Sequence, residues 1–306
     1  MIYAAGLDGG GTKTAVTVLD ETGRMVLAFE SGGINYNGRD EMDIRRSLAE
    51  IADAISAACG GPDACRQMVV GAAGVSNPTV PGRLGAALRE AGYQGGLHVV
   101  GDHETALYGA LEREHGMILI AGTGSICFGR SESGLVHRTG GFGYLIDDEG
   151  SGYSIGRDLL AAIVRAHDGR APATVLTEMV YDRLRIGSVE EIVRFVYDKG
   201  TGKQDIAALA PLLSDGCAAG DGAALLVAQR TAAELVQLVL PVAERLSLGD
   251  GELAMAGSVL LRSAHVREAF QAGLRERCPG IRAVAPRRDA SAGAALMALR
   301  MLADAK

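Results

Sequence analysis

Three consecutive glycines, at positions 9–11, follow a short apolar segment near the start of the chain. An alternating run rich in β-branched residues, 15–19, comes directly after them. This order predicts two strands joined by a tight turn. Because glycine has no Cβ, the backbone N–H groups of such a turn can close around an anion such as a phosphate.

The side chains beside this turn suit a phosphate with a metal ion. Asp8 ends the first strand, where a carboxylate could hold a hydrated Mg²⁺, and Thr12 and Thr14 add hydroxyl donors. The P-loop pattern does not fit, and the dinucleotide fingerprint would place its third glycine at Thr14. On this stretch alone, an ordinary glycine-rich hairpin turn remains the alternative.

Length and composition restrict the class of protein. A chain of 306 residues is long for a single core, so we expect two domains. The net charge of −7 argues against binding to nucleic acid. We see neither a secretion signal nor an apolar run of about 18 residues, the length that a membrane helix needs. The five cysteines contain no Cys-x-x-Cys pair, which suits reduced thiols in the cytoplasm.

The first 115 residues predict the element order βββαβαβα. After the hairpin we expect a third strand at 25–29 and a helix over 43–58, whose apolar residues recur at spacings of 4, 3 and 4. A strand ending at Gly101 then meets a helix that we expect to begin near Thr105. Strands followed by strand–helix alternation indicate a mixed sheet flanked by helices.

The opening pattern returns about 110 residues later, as a strand at 116–120, a turn at Gly122–Ser125 and a returning strand. A duplicated domain with a phosphate-binding hairpin in each half explains this recurrence. We therefore predict domains at 1–115 and 116–306, with a last helix, 289–303, that could pack back on the first domain. Between the second hairpin and this last helix we expect helices over roughly 153–167, 173–185, 188–199, 203–219, 221–247 and 263–276, and strands at 252–256 and 281–284.

Polar residues at three places are candidates for a site. Asp102 lies where a strand meets a helix N-terminus, which favours an ionised carboxylate, as a general base for a sugar hydroxyl requires. A helix N-cap is the alternative role for this residue. Asn35 and Asn37 could bind a polyhydroxyl ligand or simply form turns. Three acids at 147–149, ringed by glycines, also suggest a site.

Taken together, these motifs resemble one family. They are Asp8 with the glycine turn to Thr12, Gly101-Asp102, Gly122-Thr123-Gly124-Ser125, the segment 141–151 and Gly257-Ser258-Val259. They resemble N-acetylglucosamine kinases and their bacterial relatives in the BadF/BadG/BcrA/BcrD branch of the actin-like ATPases, from residue 6 to about 300.

The resemblance implies an α/β fold of two ribonuclease H-like domains with a cleft between them. It also implies ATP and Mg²⁺ as cofactors and phosphorylation of the 6-hydroxyl of N-acetylglucosamine, glucosamine or N-acetylmuramic acid. We further expect a homodimer that acts on this small molecule and binds neither nucleic acid nor a membrane.

Residue roles follow from the resemblance position by position. Asp102 would be the general base, and Asp8 would hold Mg²⁺ through water. ATP would contact Gly10, Gly11, Thr12, Lys13, Thr123, Gly124, Ala218, Gly257 and Ser258. The sugar would contact Asn35, Asp102, Gly141, Phe142, Gly143 and Asp148.

The same superfamily includes proteins with three other functions. An ATPase that activates a 2-hydroxyacyl-CoA dehydratase or benzoyl-CoA reductase would hold a [4Fe–4S] cluster across a dimer. The turn at 122–124 has no preceding cysteine, which leaves Cys127 and Cys217 as candidates. Repressor/ORF/kinase sugar kinases carry a cysteine-rich zinc motif that this chain lacks. A non-enzymatic sugar sensor would need an added DNA-binding segment, and the predicted fold begins at Met1.

Overall fold

The computed structural model describes residues 1–36, 39–75 and 77–304, so Asn37 lies outside the described residues. The chain divides into two compact units. The first unit comprises Met1–His115 and Pro286–Lys306, and the second comprises Gly116–Ala285. The division after residue 115 is where the sequence placed it. The predicted second domain, 116–306, includes a C-terminal segment that packs on the first unit, as was expected for the helix at 289–303. This segment belongs to the first unit.

The first unit is built on a five-stranded mixed sheet in the order β3-β2-β1-β4-β5. β1 pairs antiparallel with β2 and parallel with β4, and β4 pairs parallel with β5. The elements follow the predicted order βββαβαβα: β1 (Tyr3–Gly9), β2 (Lys13–Asp20), β3 (Met25–Gly32), α1 (Glu41–Cys59), β4 (Cys65–Ala72), α2 (Thr79–Glu90), β5 (Gly96–Gly101) and α3 (Asp102–Leu111).

Local sequence explains α1. Asp40 caps its N-terminus by accepting a hydrogen bond from the backbone N–H of Met42, and Gly60 ends it with a left-handed φ of 82°. Its predicted apolar face is buried in the core of the first unit: Ile44, Leu48, Ile51 and Ile55.

The C-terminal helix (Ala290–Asp304) is part of the first unit because glycines let it approach closely. A Cβ on Gly6 of β1 would lie 2.0 Å from the backbone nitrogen of Ala295, and one on Gly109 of α3 would lie 2.2 Å from the Asp289 carbonyl oxygen. Only glycine fits at such contacts. The helix is therefore seated directly against the central strand of the sheet.

The second unit repeats the same sheet order, β10-β9-β6-β7-β8, so the duplication predicted from the two hairpins is confirmed. Its strands are β6 (Gly116–Ala121), β7 (Ser125–Arg130), β8 (Val136–Gly140), β9 (Gly251–Ala256) and β10 (Ile281–Val284). Its helices are α4 (Gly152–His167), α5 (Leu176–Leu184), α6 (Val189–Tyr197), α7 (Lys203–Ala207), α8 (Leu212–Ala218), α9 (Gly222–Arg245), α10 (Ser258–Arg262) and α11 (Ala264–Arg277).

Two predicted helices of the second unit differ from the observed ones. One is divided into two short helices, and the other is preceded by a separate short helix. The helix expected over 203–219 is α7 and α8, because Pro211 has no N–H and disfavours helical backbone in the residue before it. The helix expected from 263 is α11, and the separate α10 comes before it.

The long helix α9 contains Pro241 and is long and apolar enough to cross a membrane by length and composition. This helix contributes Leu235, Val239 and Val242, all fully buried, to the core of the second unit. Its apolar character is therefore accounted for by packing within that unit.

Candidate active site

The carboxyl ends of β1, β4 and β5 carry the first group of candidate residues. Asp8 pairs in register with Gly71 of β4, and Gly71 pairs with Val100 of β5. Asp102 follows two residues after Val100, at the first position of α3. Because parallel strands place their carboxyl ends at one edge, the structure brings Asp8 and Asp102 to the same edge of the sheet.

The charge of Asp8 is unfavourable without a cation. The pKa of its carboxyl is raised to about 6, mainly by burial and also by the neighbouring carboxylates of Asp102 and Asp289, while Lys13 opposes the shift. A divalent cation would relieve this repulsion. Within residues 1–36, 39–75 and 77–304, no three His, Cys, Asp or Glu side chains are grouped to hold a metal. A hydrated Mg²⁺ held through water fits this environment better than a fully protein-coordinated ion.

The glycine turn between β1 and β2 is fixed from two sides. The backbone N–H of Gly10 donates to the Lys13 carbonyl oxygen at 3.0 Å. The segment after β3 packs on the other side, where the Ile34 N–H donates to the Gly10 carbonyl oxygen at 3.2 Å. A Cβ on Gly33 would lie 2.5 Å from the carbonyl oxygen of Gly11. The segment that carries Asn35 is thus held directly against the turn.

The polar side chains of this turn divide into exposed and internal groups. Thr12 is exposed at the turn. Lys13 is also exposed and forms an ion pair with Glu30 on the neighbouring strand β3. Thr14 is fully buried, and its hydroxyl donates to the Gly32 carbonyl oxygen at 2.8 Å. Thr14 therefore stabilises the hairpin, and the expectation that it would offer a donor to a ligand was wrong.

Asp102 is the first residue of α3 and does not cap it. The N-cap is Gly101, whose backbone N–H donates to Oε1 of Glu104 at 3.2 Å. The Asp102 side chain is 46% exposed, and its Oδ1 accepts a hydrogen bond from the His103 N–H at 2.9 Å. Since Glu104 satisfies the helix terminus, the carboxylate of Asp102 remains accessible to a ligand.

In the second unit, the turn Gly122–Ser125 is held by the segment that leads into α4. The N–H groups of Gly152 and Tyr153 donate to the carbonyl oxygens of Gly122 and Thr123, at 2.7 and 3.3 Å. The Ser125 hydroxyl donates to the carbonyl oxygen of Glu149 at 2.6 Å. Local sequence alone does not show this pairing, because the partners are more than twenty residues apart.

Asp148 belongs to the same arrangement. Its side chain is buried, and Oδ1 accepts a hydrogen bond from the Ser125 N–H at 3.2 Å. A Cβ on Gly124 would lie 2.7 Å from this oxygen, and Asp148 itself has a left-handed φ of 66°. Burial raises the pKa of its carboxyl, and the Ser125 hydrogen bond opposes the shift. The structure thus places this predicted sugar ligand against the turn at 122–125.

The predicted sugar contacts Gly141, Phe142 and Gly143 follow β8 at the surface of the second unit. Both glycines have left-handed φ angles, 75° and 99°, which a side chain would strain. The Phe142 ring is 61% exposed, with the guanidinium of Arg138 at 4.7 Å from its centre. The Phe142 N–H donates to Oδ2 of Asp147 at 2.8 Å, which ties this segment to the acidic one.

A cavity of about 460 Å³ opens beside the turn of the second unit. Thr123 lines it together with Ser258, which follows the turn residue Gly257. Gly257 has a φ of 85°, and a Cβ there would lie 2.3 Å from the Ala121 carbonyl oxygen. This close packing of β9 on β6 brings two predicted nucleotide residues, Thr123 and Ser258, to one cavity.

Sequence reasoning missed other residues of this cavity. Ala218 does not line it, but Ser214, one turn earlier on α8, does. Among the described residues that line the cavity, Arg262 is the only charged one. The walls are otherwise mostly apolar, with a few polar groups: Ile155, Ala207, Ala208, Ala210, Pro211, Leu213 and Val259, with Gln204 and Ser263. The break between α7 and α8, which shapes this wall, had its one sequence signal in Pro211.

The chemistry of this cavity fits a nucleoside triphosphate. Apolar walls suit the faces of a base, a few polar groups suit its edge, and the single positive charge suits phosphate. By contrast, Cys127 and Cys217 are buried in the core of the second unit, 0% and 4% exposed. Those two thiols are therefore not placed to hold an iron–sulfur cluster at a surface shared by two chains.

Known proteins similar in sequence to this chain include two sugar kinases. Over 301 residues, the chain is 31% identical to the N-acetylmuramic acid/N-acetylglucosamine kinase of Clostridium acetobutylicum, covering 97% of this chain and 98% of that protein. It is 28% identical to the N-acetyl-D-glucosamine kinase of Dictyostelium discoideum, over 96% of this chain and 97% of that protein.

The fold has a solved counterpart in a Chromobacterium violaceum protein assigned as an N-acetylglucosamine kinase. The TM-score is 0.78 at 24% identity, covering 98% of this chain and 99% of that one. The sequence pattern of the BadF/BadG/BcrA/BcrD ATPase family matches residues 5–298. With a match over almost the whole chain and a duplicated βββαβαβα architecture, this protein belongs to the BadF/BadG/BcrA/BcrD ATPase family.

Proposed function

We propose that this protein is an ATP-dependent amino-sugar kinase that phosphorylates the 6-hydroxyl of N-acetylglucosamine or a close relative. The observation that carries the proposal is the placement of Asp8 and the accessible Asp102 at one sheet edge, where Asp8 adjoins the glycine turn. This edge combines a candidate cation site, a candidate phosphate turn and a candidate base. The kinases among the relatives of the chain support the same reaction.

Each hairpin offers candidate nucleotide contacts of its own. In the second unit, the base and ribose of the nucleotide would occupy the cavity, with Thr123 and Ser258 toward the phosphates and Arg262 contributing positive charge. In the first unit, the turn that includes Gly10, Gly11, Thr12 and Lys13 would contact the phosphates. Gly124 and Gly257 keep the second turn closely packed, so their backbone supports the same task.

Asp8 would hold Mg²⁺ through water. When bound, this ion would neutralise part of the phosphate charge. Asp102 would accept the proton of the sugar hydroxyl as its oxygen bonds to the transferred phosphorus and ADP departs. Its accessible carboxylate at the start of α3 suits this task, because a helix N-terminus favours negative charge. Positioning and electrostatics would supply the remaining rate enhancement.

Each unit also offers candidate sugar contacts of its own: Asn35 in the first unit, and Gly141, Phe142, Gly143 and Asp148 in the second. The hydrogen bond of Asp148 to Ser125 engages Oδ1, so a sugar hydroxyl would be met by its other oxygen. That arrangement would link sugar binding to the nucleotide turn through one side chain.

The test is ADP release from ATP and Mg²⁺ with N-acetylglucosamine, glucosamine, N-acetylmuramic acid and glucose offered separately. We expect turnover with at least one amino sugar and a product phosphorylated at the 6-hydroxyl. No turnover above the sugar-free background for any of them would refute the kinase. Sugar binding without ADP release would support a sensor instead, and iron in the purified protein would support a dehydratase activator.

A further inference from the structure

Ser263 stands at the N-cap of α11 but does not cap this helix. Its backbone is extended, with φ −90° and ψ 104°, yet its side chain makes no capping hydrogen bond. The residue is 8% exposed, and its hydroxyl oxygen is buried without a hydrogen-bond partner. A serine in this position ordinarily accepts a bond from the second or third helical N–H, and buried hydroxyls are nearly always paired.

Other serines at helix starts of the second unit behave as expected. Ser188 accepts a hydrogen bond from the N–H of Glu191 at the start of α6, and Ser151 accepts one from Ser154 at the start of α4. The unpaired hydroxyl of Ser263 is therefore a local feature of its site and not a general property of N-cap serines in this unit.

The place of Ser263 in the cavity explains why an unpaired hydroxyl would be retained. Ser258 and Ser263 lie at the two ends of α10, and both line the cavity. Five helical residues span about 7.5 Å at 1.5 Å per residue. If the turn before Ser258 holds the phosphates, Ser263 would lie beside the nucleoside.

The lining of the cavity offers surfaces that suit a base. Ala208, Pro211 and Val259 offer apolar surface, against which a planar ring can lie. Gln204 and Ser214 add polar groups to the same cavity, so a base edge would find several partners. To reach a base in the cavity, the Ser263 side chain would have to rotate to another staggered position, because its oxygen is buried in the present one.

We propose that Ser263 is a specificity-determining contact whose hydroxyl hydrogen-bonds the base of the nucleoside triphosphate. The inference rests on the proposed nucleotide site, and it names a residue that the family resemblance does not assign. Binding would satisfy a hydroxyl that is unpaired in the free protein. The competing role is a cap for α11, reached by a different rotation of the same side chain.

The test compares wild type, Ser263→Ala and the matched N-cap variant Ser188→Ala. For Ser263→Ala we expect ADP affinity by calorimetry and the KM for ATP to weaken about 3- to 10-fold, the loss of one hydrogen bond. The preference for ATP over GTP and CTP should narrow, while the KM for the sugar is unchanged. The Tm without nucleotide should stay the same or rise, because the change removes an unpaired buried hydroxyl. Ser188→Ala should lower the Tm and leave ADP affinity unchanged.

Unchanged ADP affinity and base preference in Ser263→Ala would overturn the proposal. The proposal would also be overturned if Ser263→Ala lowered the Tm as much as Ser188→Ala does and bound ADP normally. That result would identify Ser263 as a helix cap. Direct binding separates this outcome from failure of the kinase: wild type that binds ADP but turns over no sugar refutes only the proposed reaction. Wild type that binds no ADP refutes the nucleotide site together with the role of Ser263.

Discussion

Gly257 packs against Ala121 so closely that a Cβ at position 257 would lie 2.3 Å from the Ala121 carbonyl oxygen. Its φ of 85° is also one that L-residues with side chains disfavour. The turn before Ser258 therefore requires glycine for two reasons: its backbone conformation and the lack of space for a Cβ.

We expect Gly257→Ala to lower the free energy of unfolding by at least about 1–2 kcal/mol, the cost of the left-handed backbone alone. The displaced turn should also weaken ADP binding, because Ser258 lines the cavity proposed for the nucleotide. Thermal unfolding and ADP calorimetry measure the two effects. The control is Gly249→Ala, where a Cβ meets no atom within 4 Å and φ is not left-handed. Equal behaviour of the two variants would contradict this account.

Asp102→Asn tests the base. The amide cannot accept the hydroxyl proton, so we expect kcat to fall about 10²- to 10⁴-fold with the KM values for ATP and sugar changed little. Asp53→Asn, an exposed site on α1, changes net charge equally and should leave kcat at the wild-type level. Near-wild-type kcat for Asp102→Asn with the preferred sugar would remove Asp102 from the mechanism.

Asp8→Asn should separate stability from activity. The folded pKa of about 6 lies above the ordinary 3.8, so ionised Asp8 disfavours the native state once the pH exceeds both values. That cost is absent below about pH 4, grows between pH 4 and 6, and reaches on the order of 3 kcal/mol above pH 6. With EDTA at pH 7.5, we therefore expect Asp8→Asn to unfold at a higher temperature than wild type. With ATP and Mg²⁺ supplied, we expect this variant to be inactive.

Two observations would check the cause of this effect. The stability difference between Asp8→Asn and wild type should shrink as the pH falls from 6 to 4, because wild-type Asp8 becomes neutral. Mg²⁺ should raise the Tm of wild type and leave that of Asp8→Asn unchanged. A variant less stable than wild type at pH 7.5 would show that the carboxylate stabilises the fold through contacts of its own.

The sequence predicted those parts of the site that depend on neighbouring residues. Glycines flanked by apolar and β-branched runs predict both hairpins. A strand that ends just before a helix predicts that Asp102 belongs to the site. It did not reveal that Thr14 is buried, because its bond to Gly32 depends on the pairing of β2 with β3. The cavity wall from α7, α8 and α10 was likewise invisible, since it forms only when distant helices pack together. The packing of the C-terminal helix could not be predicted either, because it depends on Gly6 and Gly109, which are far from the helix in sequence.

Asp148 allows a test of whether one carboxylate serves both substrates. Its Oδ1 holds the Ser125 N–H beside the nucleotide turn, and an asparagine oxygen can take over that bond, whereas alanine cannot. We therefore expect Asp148→Asn to keep the KM for ATP within about 2-fold of wild type, and Asp148→Ala to raise it about 3- to 10-fold.

The sugar should respond to both Asp148 variants. A carboxylate accepts hydrogen bonds more strongly than an amide, so the KM for the preferred sugar should rise in Asp148→Asn as well as in Asp148→Ala. Steady-state kinetics with each substrate varied in turn measure these constants. Asp148→Asn could leave the KM for the sugar unchanged while Asp148→Ala raises the KM for ATP. In that case Asp148 positions the turn at Gly124 and Ser125 and does not bind the sugar.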